Sequence, residues 1–309
     1  MGNVKWFKIN LPFAIGNSIV DNVAIAKQKL LSIRNDDEIQ TGIVYDPQYE
    51  FQLDLIKCNP YIDHVRTNRE HGDRELFDPT EELSWNYLVY NNEKVRFSVP
   101  EDVKERGKKI LLKNGIDVEK DRVISFQARE PGYKYYPTKD RHPFRFVDIG
   151  TFLRFARHYI NKGFKIIRIG GNECSYIPNM SGFFDASHLE NKSLIDDMYF
   201  TSVSDYFVGC DSAGWQISVA FGVPTLVTNH CHGLPGIGME RHIFPWEEGH
   251  EVICKQPFIN GMEVSPERMA IVTNGLGWNP EIFPFINRLD NNTFEEMVEA
   301  FERLVEKNR

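Results

Sequence analysis

The segment Asp205–Asn229, DYFVGCDSAGWQISVAFGVPTLVTN, reads as strand, tight turn, helix, tight turn and strand. Tyr206–Gly209 is a short apolar run, Asp211 and Ser212 are N-cap residue types, and Trp215, Ile217, Val219, Ala220 and Phe221 recur at helical spacing. Gly222 supplies a helix stop, and Pro224 forbids continuation before an apolar strand at Thr225–Thr228. A helix that starts directly after a strand aims free backbone N–H groups and the positive end of its dipole at one point, where α/β proteins hold phosphate. The same residues also suit a capped, buried helix that meets no ligand. What the other strands bring to that edge decides between the two.

Upstream of this segment the second half of the chain repeats the pattern. Arg122–Gln127 (RVISFQ) is a strand running into Ala128-Arg129-Glu130-Pro131-Gly132-Tyr133. An arginine at a strand exit stands at the carboxyl edge of an open α/β sheet, and its guanidinium can hold a diphosphate with two parallel hydrogen bonds. Arg129 can equally form a surface pair with Glu130. A basic, aromatic loop, Tyr135–Phe146, leads to a helix capped by Asp148 or Thr151, with Phe152, Phe155, Ala156 and Tyr159 on its apolar face and Gly163 as its stop. Phe164–Ile169 is the next strand and closes on Gly170-Gly171, which lets backbone approach a ligand but lacks the full dinucleotide-binding glycine spacing. Phe183–Ala186 is a further short strand and Ser193–Ser202 a helix.

The first half also alternates strand and helix. Lys5–Leu11 is a strand, PFAIGN (Pro12–Asn17) a turn, and Ser18–Ser32 a helix with Ile19, Val23, Ala26 and Leu30 on one face. Gly42–Asp46 is a second strand, Tyr49–Lys57 a helix, and Ile62–Arg66 a third strand. This order predicts a parallel sheet and an α/β class. From Thr67 to Val99 the periodicity fades into a charged stretch with Trp85, Tyr87, Tyr90 and Phe97, suited to stacking on a sugar or base or to an irregular packed edge. Glu101–Lys113 is a charged helix expected to connect two domains, 1–118 and 119–309. Thr293–Asn308 is an amphipathic helix that could pack back on either one.

Composition bounds the functional classes. A chain of 309 residues with 41% hydrophobic residues can bury two cores. A formal net charge of −8 disfavours general binding of nucleic acid or acidic membranes, so an anionic ligand must meet a local basic cluster. Five scattered cysteines without a CxxC pair suit a reducing compartment, and the expectation is a cytoplasmic protein. No apolar run is long enough to span a membrane, which leaves peripheral association open. His230-Cys231-His232 has metal-ligating residue types, yet adjacent residues do not readily converge on one ion, so no metal site is expected. His230 and His232 are better suited to hydrogen-bonding a phosphate or sugar hydroxyl in a loop that Arg241, Trp246 and the turn 275–278 would frame.

The motifs AREPGY (Ala128–Tyr133), RFVDI (Arg145–Ile149), GFKIIRIGG (Gly163–Gly171) and the opening segment keep the order seen in a family of bacterial glycosyltransferases. The chain resembles the heptosyltransferase-like and O-fucosyltransferase-like groups of the GT-B architecture. NPYIDHV (Asn59–Val65) also looks like the NPxIDxV element of heptosyltransferase-like enzymes. The resemblance implies two Rossmann-like domains facing each other across a cleft. The first would hold a glycan acceptor and the second a nucleotide-diphosphate sugar, without a metal or other cofactor. It implies donor contacts at Arg129, Tyr133, Arg145, Gly170, Asp211, Ser212, Ala213, Asn229 and His230. Relatives more often show a run like TSSGLS where this chain has Cys210-Asp211-Ser212-Ala213-Gly214. Asp211 would repel phosphate if it pointed inward, so it is expected to cap or to bind a hydroxyl, with Ser212 nearer the phosphate. Candidate bases for the acceptor hydroxyl are Asp21, Glu130 and Asp148, the first by analogy with heptosyltransferase-like enzymes. Competing functions on the same architecture are a sugar-nucleotide epimerase or hydrolase and a non-catalytic nucleotide-sugar-binding partner.

Overall fold

The computed structural model of the chain describes residues 4–9, 15–35, 39–71, 75–79, 95–130, 145–230, 249–259, 262–265 and 286–309. It is an α/β protein with two parallel sheets and a small antiparallel one. The first sheet has the order β1 (Val4–Lys8), β2 (Gln40–Tyr45), β3 (His64–Thr67), with Phe77 bridging to β1 at Phe7. Between its strands run α1 (Ile15–Arg34) and α2 (Glu50–Cys58), and α3 (Asn68–His71) follows β3. The NPYIDHV element has a local structural basis: Asn59 Nδ2 donates to the Asn22 carbonyl at 2.9 Å, tying the end of α2 to α1. Asp63 accepts from Thr41 N at 2.7 Å and from Lys29 Nζ at 3.1 Å, fixing the approach to β3 against β2.

The second sheet has six parallel strands in the order β6 (Phe183–Asp185), β5 (Phe164–Arg168), β4 (Arg122–Gln127), β7 (Tyr206–Gly209), β8 (Thr225–His230), β9 (Glu251–Cys254). Alternation along β4 explains its two-sided burial. Val123 belongs to the core on one face, while Ile124 and Phe126 belong to the core on the other. On the second face lie α5 (Ile149–Asn161) and the terminal helix α8 (Phe294–Lys307). Phe301 sits among Phe155, Tyr159, Phe164 and Tyr206, with ring centroids 4.6–6.3 Å apart. Among the described residues the terminal helix packs on the second sheet. Thr293 and Glu296 form a reciprocal capping box at its start, as the Thr-x-x-Glu spacing dictates.

On the first face lie α4 (Glu101–Lys113), α6 (Leu194–Ser202) and α7 (Ala213–Phe221). The charged helix α4 packs against α6: a Cβ at Gly107 would come within 2.1 Å of the Tyr199 ring, so glycine admits the aromatic side chain. In the segment quoted first, Gly222 stops α7 in the left-handed region at φ 76°, its N–H returning to the carbonyls of Ser218 and Val219. Trp215, 1% exposed, anchors α7, a burial worth roughly 1.5–3 kcal/mol or more.

The two halves meet helix on helix. α1 packs on α7 and α2 on α6, and their apolar side chains, from Ile19 and Leu55 to Met198 and Ile217, join one core. This double covering explains why α1 is buried from Ser18 through Lys29, polar residues included. Asp54 of α2 adds a polar tie, accepting from Ile195 N at 3.2 Å at the start of α6.

Most expected strands and helices are present with boundaries shifted by a few residues, as for α1, which starts three residues before Ser18. The strands after His230 were not legible. These are β9, and the antiparallel sheet β11 (Met262–Glu263), β10 (Gln256–Ile259), β12 (Ile286–Asp290).

Candidate functional site

Strand order singles out a candidate position. The chain runs outward from β4 to β5 and β6, then returns to the other side of β4 with β7, β8 and β9. Connections therefore leave in opposite directions between β4 and β7, and the carboxyl ends at such a switch point are the usual ligand position in open α/β sheets. The β4 exit brings Gln127 and Arg129 there, and the β7 exit brings Asp211, Ser212 and the start of α7. Arg129 N donates to Cys210 Sγ at 3.1 Å, locking the two exits together. Burial pushes the Cys210 thiol up, so this sulfur is an uncharged acceptor.

Asp211 is buried and does not occupy the N-cap of α7. Its backbone carbonyl accepts from Arg145 Nε at 2.8 Å, and its Oδ1 accepts from the same guanidinium at 3.2 Å. Its Oδ2 stands 4.0 Å from His230 Nδ1. The charge that would repel a phosphate is thus balanced by Arg145. Ser212 is the N-cap residue, but its side chain does not accept from its own helix. Instead Gln127 Oε1 accepts from Ser212 Oγ at 2.8 Å and from Gly214 N at 3.0 Å. The helix start is capped from the neighbouring strand, with Ala213 as its first helical residue.

Asn229, at φ 53°, forms a reciprocal pair with Asn292: Asn229 N donates to Asn292 Oδ1 at 2.5 Å, and Asn292 N to Asn229 Oδ1 at 2.8 Å. It shapes the β8 exit as a backbone turn, since asparagine tolerates the left-handed region. Gly170, at φ 141°, turns the chain after β5, and Lys192 Nζ donates to its carbonyl. Lys192 also holds Asp197 at 2.8 Å, and burial pushes that carboxyl up to about 6 despite the cation.

The candidate bases have other partners. Glu130 accepts from the fully buried Arg168 through Oε1, and from Ser175 N at 3.2 Å and Oγ at 2.5 Å through Oε2. Arg168 also donates to Asp185 Oδ2 at 2.9 Å, so one guanidinium ties the exits of β4, β5 and β6. Asp148 caps α5 through Gly150 N, Thr151 N and Thr151 Oγ1. The Thr151 hydroxyl above all, with the two backbone bonds, holds its carboxyl below the usual range. Both carboxylates have their lone pairs engaged in structure. Asp21 is buried within α1.

Tyr133, the loop 135–144, His232, Arg241, Trp246, the turn 275–278, and Trp85, Tyr87 and Tyr90 lie outside the described residues. Phe97 is buried edge-on against Phe221 at 6.1 Å, a packing residue. Sequence reasoning missed Gln127, Arg168, Lys192 and Asn292. Each side chain has at least one partner 22 to 87 residues away, which no local pattern encodes. Arg168 alone carried a signal, as a charged residue closing the apolar run FKIIR. Among the described residues no group of three or more His, Cys, Asp or Glu is placed to hold a metal ion.

No family model and no curated protein sequence matches the chain. Solved structures do. A glycosyltransferase family 9 protein from Veillonella parvula DSM 2008 matches with a TM-score of 0.57 at 11% identity, over 98% of this chain and 97% of that one. The chain has the fold of a glycosyltransferase. E. coli ADP-heptose lps heptosyltransferase II matches with a TM-score of 0.52 at 11% identity, over 88% of this chain and 98% of that one. The iron-containing dodecameric glycosyltransferase TibC from enterotoxigenic E. coli H10407 matches with 0.54 at 12%, over 99% and 77%. At these identities the glycosyltransferase fold is what is shared, and the site rests on this chain's own residues. No described helix is long and apolar enough to cross a membrane.

Proposed function

We propose that the chain is a glycosyltransferase that moves a sugar from a nucleotide-diphosphate donor to a glycan acceptor, in the GT-B manner, with the donor on the second sheet and the acceptor on the first. The observation that carries this reading is the switch point between β4 and β7, where Arg129 and a helix start converge in a glycosyltransferase fold. In the reaction the acceptor hydroxyl attacks the anomeric carbon, the bond from that carbon to the diphosphate breaks, and the nucleoside diphosphate leaves with the electron pair. Arg129 and the backbone N–H groups at the start of α7 would take up the charge that develops on the leaving diphosphate. Asp211, neutralised by Arg145 and facing His230, leaves that corner able to accept an anion. For the proton of the acceptor hydroxyl, Asp21 is the proposed base on the resemblance to heptosyltransferase-like enzymes, while Glu130 is bound to Arg168 and Asp148 caps α5.

Of the similar structures, one is an ADP-heptose lps heptosyltransferase and another an iron-containing glycosyltransferase. ADP-linked sugars are therefore the first donors to try. Synthesis of a bacterial surface polysaccharide, work in the cytoplasm with peripheral membrane association, and activity without a metal belong to the same proposal. The test is a thermal-shift panel of nucleoside diphosphates and nucleotide sugars, with and without a chelator. At one hundred times its dissociation constant a ligand adds about 2.7 kcal/mol of stability. Incubation of a stabilising nucleotide sugar with acceptor glycans then separates transfer from epimerisation, hydrolysis or binding alone. A panel in which nothing raises the melting temperature contradicts the proposal.

A further inference from the structure

Gln127 ends β4 on the face that carries α7, and its amide oxygen accepts from two donors that point to one place, the Ser212 hydroxyl and the Gly214 N–H. An N-cap serine ordinarily accepts from its own helix. Here the Ser212 hydroxyl does not accept from its helix but donates, at 2.8 Å to Gln127 Oε1 with the Cys210 carbonyl at 3.3 Å as a longer second acceptor, so the helix start presents an O–H and an N–H to the Gln127 oxygen. A Cβ at Gly214 would lie 2.2 Å from Gln127 Oε1, so the glycine leaves room for that oxygen. Two convergent donors at the positive end of a helix form the setting for one oxygen of a phosphate, and a neutral amide oxygen fills it.

On the diphosphate reading above, we propose that Gln127 is a positioning residue that holds the start of α7 closed, its amide oxygen standing where a donor phosphate oxygen binds and leaving when the diphosphate enters. The exchange is favourable because hydrogen bonds to an anionic oxygen are about twice as strong as those to a neutral one, and the helix dipole adds to the difference. Gln127 is only partly buried, so its displaced amide can be hydrated. Until a ligand arrives, Ser212 and Gly214 are satisfied and Ser212 keeps the rotamer that aims its hydroxyl at the Gln127 oxygen. Gln127 thus sets both the order of the α7 start and the threshold affinity for the diphosphate.

The experiment is calorimetric titration of the full chain with ADP and with inorganic pyrophosphate, for the wild type, Gln127→Ala and Gln127→Glu, with melting temperatures measured in parallel. Gln127→Ala removes the competitor, and we expect both probes to bind roughly five- to tenfold more tightly while the ligand-free protein melts lower. Gln127→Glu keeps an acceptor on Ser212 and Gly214 and adds a negative charge. We expect its melting temperature to be retained and its affinity for both probes to fall at least about tenfold. Should Gln127→Ala fail to fold, the Glu variant decides alone. Wild-type affinity in Gln127→Glu, or unchanged or weaker binding in Gln127→Ala alongside binding by the wild type, overturns the role of Gln127 and leaves the diphosphate reading standing. Absence of binding by all three proteins overturns both.

Discussion

Replacement of Glu130 by Gln separates an anchoring role from a catalytic one. In the native chain Arg168 is wholly buried and is shared between Glu130 and Asp185, while the second oxygen of Glu130 receives the backbone N–H and hydroxyl of Ser175. A glutamine offers one oxygen, so it can serve Arg168 or Ser175 but not both, and its other end presents donors to donors. At least one bond to the carboxylate is lost, a loss of about 1.5–3 kcal/mol if it is the one to the buried Arg168 and less if it is one to the exposed Ser175. Arg168→Leu, which leaves two carboxylates without their cation, should cost more, about 3–5 kcal/mol. Urea denaturation reads both as lower midpoints at an unchanged slope. Turnover in Glu130→Gln should stay within a few-fold of the wild type under conditions where the variant is folded. Loss of a general base would lower it about 10²- to 10⁴-fold. An unchanged midpoint combined with a hundredfold fall in turnover would refute the assignment of Glu130 as an anchor and return it to the chemistry.

Other perturbations follow from the same geometry. Asp148→Ala removes three hydrogen bonds at the start of α5 and should destabilise the protein by about 1 kcal/mol without altering affinity for a nucleoside diphosphate, which parallel denaturation and titration would check. Asp197 has a folded pKa raised by burial from 3.8 to about 6, so between those values the folded state binds a proton that the unfolded state has lost. Its contribution to stability therefore falls as pH rises from about 4 to 6. Denaturation at pH 4, 5 and 6 should show the wild type losing stability relative to Asp197→Asn over that window, and a constant difference would contradict the assignment.

Much of the α/β order was legible because it rests on local rules. Gly222 before Pro224 ends α7, Gly163 ends α5, and Thr293 with Glu296 starts α8, each encoded within a few residues. Strand order was not encoded locally, and the switch point that selects the β4 and β7 exits emerges only once β5 and β6 are seen on one side of β4. The placement of two expected groups at one edge was legible. Arg129 and the Asp211–Ser212 turn do meet at one edge, because both follow strands of one parallel sheet. The roles of particular carboxylates were less visible, since each depends on a distant partner: Asp211 on Arg145, Glu130 on Arg168, and Ser212 on Gln127. A sequence shows that a carboxylate is present, whereas its chemistry is set by what burial brings beside it.

The most direct measurement of the central claim is calorimetric binding of a nucleoside diphosphate to the wild type and to Arg129→Ala, both shown to be folded. We expect saturable binding by the wild type and at least a tenfold loss in the variant, the effect of removing a guanidinium from a partly desolvated phosphate. Equal affinity in the two proteins would contradict the placement of the diphosphate at the β4–β7 edge.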